Sequence, residues 1–151
     1  MTLNERIEKE YIEAYKAKQQ LKLDVLRLLK TAIKNLLVEY RRPGGSLDDA
    51  EIMDVLLRQA KQRQDSIEQY RAANRHDLAD KEAAELVILQ EYLPRPLSTE
   101  ELAAAIDTAI HSTGASKPQD MGKVMAAMME LYKGRVDGKV LSSTVRQRLS
   151  N

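Results

Sequence analysis

Leu93-Pro94-Arg95-Pro96-Leu97 decides how this chain is divided. Proline has no N–H to give a helix, and it pushes the residue before it toward extended backbone. The helical pattern that runs into these residues must therefore end at them. Directly beyond, Ser98-Thr99-Glu100-Glu101 spells a capping box, in which a serine and a glutamate three residues on satisfy each other's free backbone N–H groups. One helix stops and another starts across a stiff joint. The predicted division is a first domain over 1–93, a proline linker over 94–97 and a second domain over 98–151.

Upstream of the joint the apolar residues recur at helical spacing. Thr2 with Glu5 opens helix 1, with Leu3, Ile7, Tyr11, Ala14 and Tyr15 inward. A bend near Gln19-Gln20 leads to helix 2, which runs to about Arg41 and turns Val25, Leu26, Leu29, Ile33, Leu36, Leu37 and Tyr40 to the core. Its other face carries Arg27, Lys30 and Lys34, a pattern that usually marks a solvated surface. Arg41-Arg42-Pro43-Gly44-Gly45 breaks the chain, and Ser46 is expected to cap helix 3. Arg63 stands where the stripe of helix 3 is due an apolar residue. It is expected to serve structure, by lying along the core edge or by pairing with an acid on a neighbouring helix. Asp77 or Asn74 is expected to cap helix 4, which runs to Tyr92. Glu82 and Glu85 are expected on a solvated face.

Downstream, helix 5 ends at Gly114 and helix 6 opens near Pro118. Met121, Met125, Met128 and Met129 are expected to fill a small core. Lys133-Gly134-Arg135 ends helix 6, and Asp137-Gly138-Lys139 starts helix 7, whose Arg146 and Arg148 face outward. A helix end and a helix start that bring cations beside open backbone N–H groups make a docking point for an anion. The same residues also read as an ordinary glycine stop and aspartate cap. The expected fold is all-α: an elongated four-helix bundle followed by a small three-helix tail.

The composition supports this. The 151 residues hold six Gly, four Pro, no Cys, no Trp and no Phe, which favours helix and leaves no thiolate for a disulfide, a zinc site or a nucleophile. Charge is uneven. Residues 1–45 carry ten Lys/Arg against six Asp/Glu, residues 46–92 six against eleven, and residues 117–151 seven against three. Two basic surfaces at the ends would suit an anionic partner. No apolar run approaches the roughly 20 residues of a membrane span. The start, Met1-Thr2-Leu3-Asn4-Glu5, has no signal-peptide core, and its acidic residue argues against a transit peptide, so a cytoplasmic protein is expected.

Catalytic patterns are missing. His76 and His111 have no Glu-x-x-His partner. There is no Gly-x-Ser-x-Gly elbow around Ser142-Ser143-Thr144, no phosphate-binding glycine loop and no amidase Ser-Ser-Lys set. No catalytic residue, metal site or cofactor is expected.

Three stretches together resemble the GatB/YqeY family. They are Lys61-Gln-Arg-Gln-Asp-Ser66; Asn74-Arg-His-Asp-Leu78 continuing to Glu85-Leu-Val-Ile-Leu-Gln-Glu-Tyr-Leu-Pro94; and Gly114-Ala-Ser with Asp120-Met-Gly-Lys-Val-Met125 and Lys133-Gly-Arg-Val-Asp-Gly-Lys139. They keep order and spacing over nearly the whole chain, which suggests a stand-alone YqeY-like protein. Where the family pattern reads Lys-Gly-Lys-Ala-Asp-Gly, this chain has Arg135, which keeps the charge, and Val136, which adds bulk.

The resemblance implies a helical bundle with a tail like that of the tRNA-dependent amidotransferase B subunit. There the tail serves tRNA recognition and amide transfer lies elsewhere. It implies a non-catalytic tRNA-binding module, with Gly122 open to a close backbone approach. Lys123, Lys133, Gly134, Arg135, Gly138 and Lys139 would lie at the phosphates, and Arg146 and Arg148 would form an outer ring. The alternatives are an adaptor that docks an amidotransferase or aminoacyl-tRNA synthetase, and the carbon–nitrogen ligase activity, with glutamine as amide donor, that the family label carries.

Overall fold

A computed structural model describes residues 1–150. Seven α-helices run in order: α1 Leu3–Lys16, α2 Gln20–Glu39, α3 Asp49–Ala72, α4 His76–Gln90, α5 Thr99–Thr113, α6 Met121–Leu131 and α7 Gly138–Ser150. A single 3-10 turn, Pro118–Asp120, precedes α6. Among the described residues no helix is long and apolar enough to cross a membrane. The chain separates into two compact units, the first Met1–Leu93 and the second beginning at Pro94.

The first unit packs α1–α4 around Ile7, Leu26, Leu29, Ile52, Leu56 and Leu89, all without measurable exposure. Burial of each such side chain is worth about 1.5–3 kcal/mol. The amphipathic stripes are narrower than the periodicity predicts: Tyr15 and Tyr40 stand outside the core. Tyr40 instead lies 5.1 Å beneath the Arg42 guanidinium.

The cap of α3 is Asp48, not Ser46. Asp48 accepts from the Glu51 N–H at 2.8 Å, and Glu51 accepts from the Asp48 N–H at 3.0 Å. This places Leu47 just outside the cap and Ile52 four residues inside, and both join the core. Such an apolar pair fixes the angle at which the chain enters the helix. A cap at Ser46 would have carried Leu47 into the first turn. Asp49, next in line, accepts the Leu3 N–H at 2.9 Å and so binds the start of α1 to the start of α3.

Asn74 ends α3 instead of opening α4. Its φ of 58° is left-handed, and the Arg75 and Asn74 N–H groups return to the carbonyls of Tyr70 and Arg71. Lys18 and Arg41, both at φ 57°, close α1 and α2 through the same pair of returning bonds. That position normally belongs to glycine. No side chain caps α4, whose preceding residue is Arg75. Asp77 sits in its first turn and pairs with Arg75.

Arg63 is 7% exposed. Its Nε donates to Glu85 Oε2 on α4 at 3.3 Å, and its guanidinium donates to the Gln59 carbonyl at 3.4 Å. Glu85 is thus a half-buried partner of Arg63, not part of a solvated face. A second network joins α1, α2 and the end of α4. Glu10 accepts from Arg6 at 2.8 Å and Lys22 at 3.3 Å, while the Arg6 guanidinium covers the buried Tyr92 ring at 4.5 Å. Burial alone would raise the Glu10 carboxyl, but Arg6 and Lys22 outweigh it and hold the group below its usual range. Burial, with the Glu10 charge nearby, pushes the Tyr92 hydroxyl well above its ordinary value.

The second unit encloses a smaller core of Ile106, Val124, Met128, Leu141 and Val145, each fully buried. Of the four methionines, Met128 is buried and Met121 and Met125 pack at its edge, but Met129 is 42% exposed. Ser98 and Glu101 form the capping box of α5.

Candidate nucleic-acid interface

Lys117, Lys123, Lys133, Arg135 and Lys139 of the second unit fall around the two ends of α6. Eleven residues at 1.5 Å each set those ends roughly 16 Å apart. At the first end, Asp120 accepts from the Ser116 and Lys117 N–H groups at 3.0 and 3.2 Å. Those two donors hold its carboxyl below the usual range, with Lys123 and Lys117 assisting. Lys123 is exposed, its ammonium 4.0 Å from Asp120. Lys117 belongs to this group and escaped the sequence reading, because it lies outside the glycine-marked stretch. Gly122 is exposed within the first turn of α6, and a Cβ built on it would meet nothing within 4 Å. No neighbouring helix therefore needs the glycine.

At the other end α6 stops two residues before Lys133. Its last intrahelical bond runs from the Tyr132 N–H to the Met128 carbonyl, and the Arg135 N–H then closes on the Tyr132 carbonyl at 2.9 Å. Gly134 makes this turn at a φ of 81°, which a side chain rarely adopts. Asp137 begins α7: its carboxylate accepts the Lys139 N–H at 2.8 Å and its carbonyl takes the Leu141 N–H at 2.9 Å. Gly138 follows with open space around it. Lys133 and Lys139 are exposed on either side of the turn.

Arg135 is half-buried and has structural work. Its Nε donates to the Arg95 carbonyl at 2.9 Å, its own carbonyl accepts the Leu97 N–H at 2.9 Å, and its guanidinium lies 6.0 Å from the Tyr132 ring. It fastens the proline stretch to the turn. Arg95 in turn pairs with Glu101 at 3.2 Å. The Ser98 N–H and hydroxyl keep the Glu101 carboxyl below its ordinary value, helped by Arg95 and Arg135. Arg148 also has a partner inside the unit, Asp107 of α5 at 3.1 Å. Arg146 is exposed.

The structure therefore groups Lys133, Gly134, Arg135, Gly138 and Lys139 at one turn and sets Gly122 and Lys123 at the opposite end of α6. α7 packs on α6 and on the 3-10 turn that precedes it. Exposed cations in two groups, with backbone accessible at Gly122 and Gly138, can hold two phosphates well apart along a polyanion.

The family model described as Yqey-like protein matches residues 4–149. Among curated proteins, the chain is 31% identical over 114 residues to altered inheritance of mitochondria protein 41, mitochondrial, of Lachancea thermotolerans. That match covers 74% of this chain but 60% of the relative. The protein of the same name from Pyrenophora tritici-repentis is 27% identical over 146 residues, covering 94% of this chain and 78% of the relative. An uncharacterized protein of Schizosaccharomyces pombe is 30% identical over 92 residues, 61% of this chain and 72% of the relative. The mitochondrial names overturn the expected cytoplasmic placement. The composition of five leading residues did not carry a compartment.

Proposed function

The chain belongs to the Yqey-like protein family, and on that premise we propose that it is a non-catalytic tRNA-binding module. Its tail unit holds the RNA backbone through Lys123, Lys133 and Lys139, with Arg146 beyond them. Support comes above all from the placement of these four cations, all exposed, at the two ends of α6 and along α7. The unit offers few aromatic side chains for base stacking, so shape and phosphate contacts carry recognition. Arg135 and Arg148, held by Arg95 and Asp107, position the turn and the helix rather than lead the contact. The module acts beside an amidotransferase or synthetase that performs the chemistry.

The test is a Lys133→Glu/Lys139→Glu variant, which spares Arg135 and its bond to the linker. Labelled tRNA should bind it at least tenfold more weakly while both units stay folded. Unchanged affinity in that folded variant overturns the assignment.

An adaptor that docks such an enzyme is the second reading. It is favoured by large apolar side chains left exposed on the first unit, among them Ile12, Tyr15, Leu28 and Val38. Recovery of an amidotransferase or synthetase in a pull-down that survives nuclease treatment would favour it over RNA binding.

A further inference from the structure

The first unit holds a cavity of about 410 Å³ whose lining the tRNA reading leaves unused. It opens between α1, α2 and the loop after α2. Arg27, Lys30 and Lys34 contribute to its wall from one face of α2, with Glu8 and Tyr11 from α1 and Ser46 from the loop. Three cations face one carboxylate, so the lining is net positive. Lys30 is committed: it pairs with Glu8 at 3.0 Å and stands 4.0 Å over the Tyr11 ring. Arg27 meets Asp24 at 3.9 Å, the outer limit of an ion pair. Lys34 pairs with no acidic side chain among the described residues.

Positions 27, 30 and 34 are three and four residues apart, so they form one row. The ends of the row lie seven positions apart, roughly 10 Å along the helix axis. A solvated helix face commonly intersperses acids with such cations, and i,i+4 acid–base pairs do so on α1 at Arg6–Glu10 and Lys9–Glu13. Between Arg27 and Lys34 this face of α2 carries no acid, Asp24 standing one turn before the row, and the wall beneath is apolar, with Leu37 and the Tyr11 ring. The volume lies in the range of small-molecule sites, about 300–1,000 Å³. A guanidinium and ammonium groups in a row suit phosphate oxygens, which offer dense negative charge in a small volume.

We propose that this cavity binds a phosphorylated small molecule with at least two negative charges. The charged groups lie along Arg27 and Lys34, and the organic part lies against Leu37 and Tyr11. Lys30, braced by Glu8 and Tyr11, sets the middle of the row. The site lies wholly in the first unit and stands whether or not the tail binds RNA.

The test is titration of the isotope-labelled full chain with ADP, adenosine and citrate, followed by amide resonances. ADP should shift Thr31, Lys34, Gly45 and Ser46 in a saturable way, and adenosine should leave them in place. Citrate should bind at least tenfold more weakly than ADP. Arg27→Glu/Lys34→Glu should lose at least tenfold in ADP affinity while the first unit stays folded. Lys34→Ala, which removes only one exposed side chain, should lose about threefold. The proposal is overturned if ADP shifts only the Lys133–Lys139 turn or nothing at all. It is overturned equally if citrate or adenosine binds as ADP does, or if folded Lys34→Ala keeps full affinity.

Discussion

Glu85→Ala tests the packing of α3 on α4 most sharply. It leaves the Arg63 guanidinium buried with no counter-charge. The side chains of Arg63 and Glu85 are 8% and 15% exposed, so water can replace the lost partner only in part. Breaking a buried pair by removing one member costs about 3–5 kcal/mol. Two features move this case to the low end. The contact is a single Nε–Oε2 approach at 3.3 Å, longer than the 2.7–2.9 Å of strong charge-assisted bonds, and the Gln59 carbonyl still accepts from the guanidinium at 3.4 Å. The expected loss is about 3 kcal/mol. Arg63→Met/Glu85→Leu removes both charges and keeps the volume, so it should cost no more than about 1 kcal/mol. Urea unfolding followed by amide resonances separates the first unit from the second. A loss below about 1 kcal/mol for Glu85→Ala, or an equal loss for the double variant, would refute the reasoning that the unpaired charge dominates.

The Glu10 network predicts acid lability of the first unit. The folded carboxyl is depressed, so its stabilisation is present above the ordinary glutamate range and is lost as pH falls through the folded value. Glu10→Gln should flatten that part of the stability–pH curve, and a curve unchanged by the substitution would count against the network. Lys18→Gly and Arg41→Gly relieve a left-handed backbone at a helix stop and should each stabilise by about 0.5–1 kcal/mol in thermal unfolding. Gly122→Ala places a methyl in open space and should stabilise the second unit by about 0.5–1 kcal/mol. In the same variant tRNA should bind several-fold more weakly, and retained affinity would remove Gly122 from the interface.

Local signals were legible in the sequence where a helix announces its own start. The Thr2–Glu5 and Ser98–Glu101 boxes need only four consecutive residues, and both occur. At Ser46-Leu47-Asp48-Asp49 two caps compete, and burial of Leu47 beside Ile52 decides for Asp48. No local pattern decides such a choice, because the decision is made by the core. The left-handed stops at Lys18, Arg41 and Asn74 were hidden for a related reason: two returning backbone bonds impose a conformation that the side chain does not advertise. Helical periodicity marked Arg63 as out of place but not its partner Glu85, which lies 22 residues away on another helix. The candidate interface was legible as charge and glycine. Arg135 shows the limit, since its bond to the Arg95 carbonyl spans 40 residues and gives the side chain a structural tie that charge and glycine do not announce.

The tRNA-binding claim rests on cations whose effect salt must weaken. Four phosphate contacts, at Lys123, Lys133, Lys139 and Arg146, imply a slope of log affinity against log salt of roughly −3. The direct measurement is anisotropy of labelled bulk tRNA titrated with the full chain across a salt series, beside a duplex DNA of equal charge. The account predicts saturable binding that prefers tRNA and follows that slope. No binding at low salt, or equal affinity for the DNA, would contradict it.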